Sequence, residues 1–544
     1  MITRFSRGAL PTVAVAALLA GCTSSAGSTD AASGTPSPVV TATPTPADTP
    51  SPTPTPAPTP TVKPTGQADP ALQPFYGQQL GWAACKDDPK TDKLDESAVQ
   101  CATLKVPLDY ANPAGDTIDV GIVRSPAGKP DQRIGSVLVN PGGPGGSGVG
   151  FLQRNPQQFQ GAVGDRYDTV SFDPRGVGLT APVNCLDDKA RDGWVTTDAL
   201  GVDHGKVLAD ACQAKYGKVL PFLGTRNTVR DMDVLRGVLG DQKLTYFGLS
   251  YGTYVGALYA EEFPDRVGRL VLDGAVDPSM PLLQHNIAQY AAFERSFKDF
   301  STACAKKDQC PMGKDPAKAA EKLADFLDGL KQKPLTTASG RTLTANAAWV
   351  GIIDGLYGGQ PSWDSLRNDI GWAMLRGKGD YLLARADSSN RRDKDGHYIV
   401  SADAYTAIHC ADGATNVAAG AELEAAYADL AAKAPLITRH EPDTALFDPD
   451  CRTWAFRSAE KAHPIASKSA STIVVVGSTG DAATPYASAE KLAAQLGNAV
   501  LLTRDGDGHT GYGWSACIRT SVDAFLLDGT VPAAGTRCAT DTAG

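Results

Sequence analysis

The chain of 544 residues carries 51 Lys and Arg against 60 Asp and Glu, 42% hydrophobic residues and eleven cysteines. That length excludes a small disulfide-stapled peptide and allows more than one compact unit. The net charge of −9, two lower once a leader holding Arg4 and Arg7 is removed, gives no electrostatic footprint for a nucleic acid.

Residues 1–21 read as an export signal, because two arginines precede an apolar run from Ala9 to Ala20 that is shorter than the ~20 residues of a membrane span. The run Leu18-Leu19-Ala20-Gly21-Cys22 resembles the lipobox of bacterial lipoproteins. The resemblance implies cleavage before Cys22, lipidation of its thiol and an extracytoplasmic protein anchored in the cell membrane; the alternative is an ordinary secretory signal with an incidental Cys22. Residues 22–70 are mostly Ser, Thr, Ala and Pro, with eleven prolines between Pro36 and Pro64. They lack the apolar surface for a core, and proline bias favours an extended tether of ~3.1 Å per residue.

Beyond the tether, short β-branched runs alternate with helical periods. Strands are expected at 103–108, 117–123, 136–140, 168–173, 243–247, 269–273, 472–476 and 499–502, the first two as an antiparallel hairpin at one edge. Helices are expected at 226–239 and 251–263, the second stopped by Pro264. This alternation predicts a mostly parallel α/β sheet. Between 277 and 470 the strand pattern gives way to helical stretches near 284–303, 316–332, 344–357, 363–377, 403–415 and 420–433. The expected organisation is thus a core of 75–276 and 471–544 interrupted by a helical cap of 277–470.

Setting Cys22 aside leaves ten cysteines, an even number in an exported chain. Pairing neighbours keeps each bridge within one predicted segment: Cys85 with Cys101, Cys185 with Cys212, Cys304 with Cys310, Cys410 with Cys451, and Cys517 with Cys538. The sequence has no CxxC, HxH or HExxH motif, so no metal site or other cofactor is expected.

Gly248-Leu249-Ser250-Tyr251-Gly252 lies between a predicted strand and a predicted helix, the context of a nucleophile elbow that lifts a serine hydroxyl out of a sheet. Asn140-Pro141-Gly142-Gly143-Pro144-Gly145-Gly146-Ser147-Gly148 follows another strand and reads as an oxyanion loop. Gly143 and Tyr251 are its expected backbone donors, with Gly142 the fallback for the first. A serine nucleophile needs a base and an orienting carboxylate, in the chain order Ser, Asp or Glu, His. Of seven histidines, His509 alone sits in a strand-end loop. Asp481, after the strand 472–476, is the expected carboxylate; Asp505 and Asp507 compete but lie too close to His509 in sequence to reach its far nitrogen easily. The implied reaction is hydrolysis of an ester or amide through an acyl-enzyme.

The runs NPGGPGGSG at 140–148, FDPRGVGLTAP at 172–182, YFGLSYGTYVGALYAEEFPDRVGRLVLDG at 246–274, GSTGDAATP at 477–485 and GHTGY at 508–512 resemble the secreted tripeptidyl-aminopeptidase-like branch of the α/β-hydrolases, relatives of the proline iminopeptidases. The resemblance implies an α/β-hydrolase fold and a serine exopeptidase that removes short peptides or single residues from free N-termini. A buried ammonium needs an anionic partner. Asp412, beside the cysteine segments at 410 and 451, is the first candidate and Glu294 the second, with a solvated or helix-capping carboxylate as the alternative for each. Thr484 is expected to line the pocket, and Asp173 and Arg175 to brace the oxyanion loop. The competing activity is a carboxylesterase or lipase with the same triad. For a lipase, a strongly apolar lid is expected, whereas 277–470 is rich in Lys, Asp and Arg.

Overall fold

The computed structural model describes residues 66–85, 99–159, 161–196, 204–398, 402–413, 421–440, 451, 454, 456 and 460–541. The expected leader, Cys22 and residues 22–65 of the expected tether lie outside the described residues. Residues 66–70 do not extend as a tether. Gly66 is buried with φ +68° and packs against Phe263, and Tyr76 just beyond donates a 2.5 Å hydrogen bond to Asp233, so the folded unit starts earlier than residue 75.

The first seven strands are β1 (Ala83–Ala84), β2 (Gln100–Pro107), β3 (Thr117–Ser125), β4 (Gly135–Asn140), β5 (Tyr167–Phe172), β6 (Leu244–Leu249) and β7 (Val267–Asp273). A two-stranded hairpin, β8 (Leu335–Thr336) with β9 (Thr342–Leu343), stands apart, and β10 (Ile473–Gly480), β11 (Ala499–Asp507) and β12 (Arg537–Ala539) complete the main sheet. Its order is β1-β2-β3-β5-β4-β6-β7-β10-β11-β12. Pairing is antiparallel from β1 to β5 and parallel from β5 to β12. The short strands β1, β8, β9 and β12 carry too few residues to show a period in the sequence.

Alternate strand residues enter two different cores. Leu138, Tyr246, Leu270, Leu272, Ile473 and Val475 pack on one face, while Val137, Val139, Phe247, Val271, Val474 and Val476 pack on the other. Burial on both faces explains why these strands read as continuous apolar runs. Helices Thr225–Val238, Tyr251–Glu262 and Tyr486–Leu496 cover the first face; Gly148–Arg154, Ala162–Arg166 and Ala516–Asp528 cover the second. The chain leaves β4 toward the second face and β6 toward the first, although β4 and β6 are neighbours. That divergence opens a crevice at their carboxyl ends, where ligands bind in open α/β sheets.

The cap forms its own hydrophobic cluster from Leu283 to Ile437, into which Ala482 and Ala483 of the core also pack. Its helices include Asp380–Ser389 and Pro435–His440, beyond those read from the sequence. The division at residue 276 is not a division of packing. Val183, Cys185, Cys212, Leu220 and Leu223 share one cluster with Ala404, Ile408, Cys410, Cys451 and Trp454, so part of the first core segment packs with the cap. The five disulfides join the neighbouring pairs expected from the sequence. Among the described residues no helix is long and apolar enough to cross a membrane.

Arg175 is fully buried and pairs with Asp231 at 2.7 Å while donating to the Pro107 and Leu108 carbonyls. It ties the edge hairpin to the helix Thr225–Val238, so the expectation that Arg175 braces the oxyanion loop is corrected: its donors are spent on Asp231 and on carbonyls outside that loop. Asp231→Ala is expected to strand this guanidinium and lower stability by about 3–5 kcal/mol; urea unfolding measures it, and a loss under about 1 kcal/mol would remove the pair from the determinants of the fold.

Candidate active site

Ser250 sits between β6 and its following helix with φ +57° and ψ −125°, a backbone region that a non-glycine residue enters only under strain. The turn is held by the Ser250 N–H donating to the Asp273 carbonyl at 2.8 Å. The flanking glycines are required by close approach: a Cβ at Gly248 would lie 2.6 Å from the Tyr246 ring, and one at Gly252 would lie 2.7 Å from the Asn140 carbonyl oxygen.

β4 and β6 pair with Asn140 opposite Gly248, which brings the glycine loop beside the elbow. Gly142 has φ +87° and Gly143 φ +119°. A Cβ on Gly142 would lie 2.9 Å from the Tyr251 nitrogen, so the loop backbone packs directly on the elbow. Gly142 spends its N–H on the Asn140 side chain at 2.8 Å, which leaves Gly143 as the loop amide at the cavity wall. Asp173 braces the loop, accepting from Ser147 Oγ at 2.6 Å and Val149 N at 3.1 Å; burial pushes its carboxyl up to about 6.

β10 and β11 run parallel, with Gly480 opposite Asp507, and the residues just beyond them meet. His509 Nδ1 lies 2.8 Å from Asp481 Oδ2 and 3.0 Å from Oδ1. Both groups are buried, and the Asp481 carboxylate also accepts from Thr484 N, Thr484 Oγ1 and Thr510 N. Burial opposes its ionisation, but the imidazole and these hydrogen bonds outweigh burial and hold it below the usual carboxylate range. Asp505 instead pairs with Arg537, and Asp507 lies beside Arg504. His509 Nε2 is buried and has no hydrogen-bond partner among the described residues. Gly274, φ +72°, makes room for this ring, since a Cβ there would lie 3.0 Å from His509 Cε1.

A strand-end carboxylate escaped the sequence reading. Asp273, at the end of β7, holds Ser250 through its carbonyl and the His509 loop through its carboxylate, which accepts from Gly511 N and Tyr512 N, both at 2.8 Å. Its only sequence signal is a carboxylate ending an apolar strand beside the elbow strand.

A cleft of about 1270 Å³, counted out to its open mouth, is lined by Gly143, Ser250, Tyr251, Tyr357, Asp412 and Thr484 among others. Asp277 and Asp412 are the carboxylates in its wall, and no lysine or arginine stands among the described residues lining it. Asp412 accepts from Thr225 N at 2.6 Å, from Thr225 Oγ1, and from Tyr251 OH at 2.7 Å. Burial pushes its carboxyl up to about 6 despite these hydrogen bonds. His285 and His409 also line the cleft; burial lowers both, and with the push of His285 brings His409 to about 3, so both imidazoles are neutral at pH 7. Glu294 is elsewhere. Its carboxylate accepts from Leu436 N at 3.1 Å and Ile437 N at 3.3 Å, capping the helix Pro435–His440 within the cap. The amine-anchor expectation for Glu294 is therefore corrected to a helix cap, because both hydrogen bonds go to orphan amides of a helix start.

Residues 440–538 match the family described as TAP-like protein. Over 501 residues the chain is 36% identical to serine protease Hip1 of Mycobacterium tuberculosis, covering 86% of this chain and 92% of the relative. It is 35% identical to carboxylesterase B of the same species, covering 86% and 91%. To tripeptidyl aminopeptidase of Streptomyces lividans it is 31% identical, covering 85% and 86%. With a serine elbow, a glycine loop and a buried Asp–His pair at one sheet edge, the chain belongs to the TAP-like family of α/β-hydrolase serine hydrolases.

Proposed function

We propose that this serine hydrolase is an aminopeptidase that releases short peptides from free N-termini. The observation that carries this reading is Asp412, a half-buried carboxylate that with Asp277 makes up the acid groups of a cleft wall free of Lys and Arg among its described lining. Such a wall favours an ammonium over a carboxylate, because a cation entering it gains a partner. Serine protease and tripeptidyl aminopeptidase relatives support the same substrate class.

In this mechanism His509 Nε2 takes the Ser250 Oγ proton as Oγ bonds to the scissile carbonyl carbon. Negative charge then settles on the carbonyl oxygen, facing Gly143 N–H and Tyr251 N–H. His509 returns the proton to the leaving amine, and water repeats the sequence to free the acyl group. Asp481 holds Nδ1 and stabilises the imidazolium, while Thr484 anchors Asp481.

We further propose that Cys22 carries a lipid that fixes the enzyme to the outer side of the cell membrane, with the proline-rich segment as spacer. The lipobox-like run and five disulfides, which need an oxidising compartment, support this. Cys22→Ala is expected to move the protein from the detergent-soluble membrane fraction to the medium or to leave the leader uncleaved; unchanged fractionation together with an unmodified N-terminal mass in the parent would sink the proposal.

Initial rates on a tripeptide anilide with a free N-terminus, its N-acetylated twin and a short-chain aryl ester test the peptidase reading. The free peptide is expected to be cleaved far faster than its twin, and Ser250→Ala to lower kcat by roughly 10⁴-fold or more; turnover of the ester alone would make the protein an esterase.

Asp412→Asn is expected to cut kcat/KM for the free peptide roughly 30-fold or more while affecting the ester far less. Because a carboxyl raised to about 6 is neutral below that pH, the ratio of free-peptide to ester kcat/KM should fall as pH drops through about 6. A ratio that stays flat from pH 5 to 8 would rule out Asp412 as the anchor.

A further inference from the structure

His509 is held from two sides. The core supplies Asp481, and the cap supplies Tyr357, the last residue of the helix Ala345–Tyr357. The Tyr357 carbonyl accepts from His509 N at 3.2 Å. Its ring meets the imidazole edge to face, with centroids 4.7 Å apart and planes at 62°. Its phenol stands beside the Ser250 side chain, and both residues line the cleft.

The contact is fixed at the level of the backbone. Gly359 has φ +66°, and a Cβ on it would collide with the backbone of Gly508; a Cβ on Gly508 would lie 3.0 Å from the Gly358 carbonyl oxygen. Two glycines after Tyr357 thus let the cap seat directly on the loop that carries His509. This is a built junction rather than a lid resting on a surface.

We infer that Tyr357 is a catalytic residue lent to the triad by the cap: its phenol O–H donates to Ser250 Oγ as charge develops there during the reaction, while its ring and carbonyl hold the His509 imidazole in place. This rests on the Ser250–His509–Asp481 reading above. When Oγ bonds to the carbonyl carbon its proton passes to His509 Nε2; when the acyl-enzyme breaks down, the Oγ–C bond cleaves and its electron pair returns to Oγ, which recovers a proton from His509. Charge develops on Oγ in both steps, and the phenol is the side-chain donor beside it. Burial pushes the phenol well above its ordinary pKa, so it keeps its proton and has an O–H to donate.

The test compares the purified full chain with Tyr357→Phe, which removes only the hydroxyl, and Tyr357→Leu, which also removes the ring. Removal of one preorganised donor is expected to lower kcat roughly 10- to 100-fold for both the free tripeptide anilide and the aryl ester, with KM within about threefold. The rate constant for phosphonylation of Ser250 by a fluorophosphonate should fall in parallel, with the melting temperature of the Phe variant unchanged. Tyr357→Leu should lose more. A Phe variant with kcat within about twofold of the parent on both substrates would overturn the inference, as would a loss seen only in KM or matched by a drop in melting temperature. Failure of the parent to react with the fluorophosphonate, or full activity in Ser250→Ala, would instead defeat the triad on which the inference stands.

Discussion

The active site depends on one buried carboxylate that is not itself a member of the triad. Asp273 ends β7, between the strand that carries Ser250 and the strand that carries Asp481. Its carbonyl restrains the nucleophile turn, and its carboxylate accepts the amides just after His509. Nucleophile and base come from loops 259 positions apart in the numbering, yet each is tied to the same residue. Burial of an ionisable group costs free energy unless its lone pairs are filled; here the two amides fill them and the loop positions are set in return.

The parallel arrangement of β6, β7, β10 and β11 extends that restraint. Parallel neighbours end at one edge, so residues just past each carboxyl end share a crevice. The divergence of the chain at β4 and β6 opens that crevice and puts the glycine loop against the elbow. Strain at Ser250 is the counterpart: a positive φ for a non-glycine residue survives because packing at Gly248, Gly252 and Gly142 holds the turn.

The cap shapes the cleft by contributing chemistry as well as a wall. Asp412 is placed two residues after Cys410, whose disulfide to Cys451 sits in a cluster shared with residues 183–223. Its carboxylate then reaches Thr225 and Tyr251, which belong to core helices. Tyr251 is thereby used twice, with its amide at the elbow and its phenol on the carboxylate. A catalytic domain and a cap that exchange side chains in this way pack as one body around the cleft.

Much of this was legible before folding. Strand runs, the Gly-x-Ser-x-Gly turn, the glycine loop and the strand-end positions of Asp481 and His509 are local, and local patterns report covalent neighbours whose spacing matches the pleat or the helical turn. Disulfide pairing was legible because each bridge closes a short stretch. The choice of Asp481 over Asp505 and Asp507 was argued from chain geometry, and the hydrogen bonds to Nδ1 agree with it. Short elements such as β12 and the cap hairpin left no period to read.

What only the tertiary structure decided is which distant groups meet. Asp273 and Tyr357 look like ordinary strand and helix ends in the sequence, and nothing near them in the chain points to Ser250 or His509. Glu294 and Asp412 are both lone carboxylates in the cap sequence, yet one meets the orphan amides of a helix start and the other the wall of the cleft. Sequence by itself determined the elements and the reactive groups they carry, because those follow from residues a few positions apart. Their partners depend on how strands order across the sheet and how the cap seats on it, and that is fixed by burial and hydrogen-bond satisfaction summed over the whole chain.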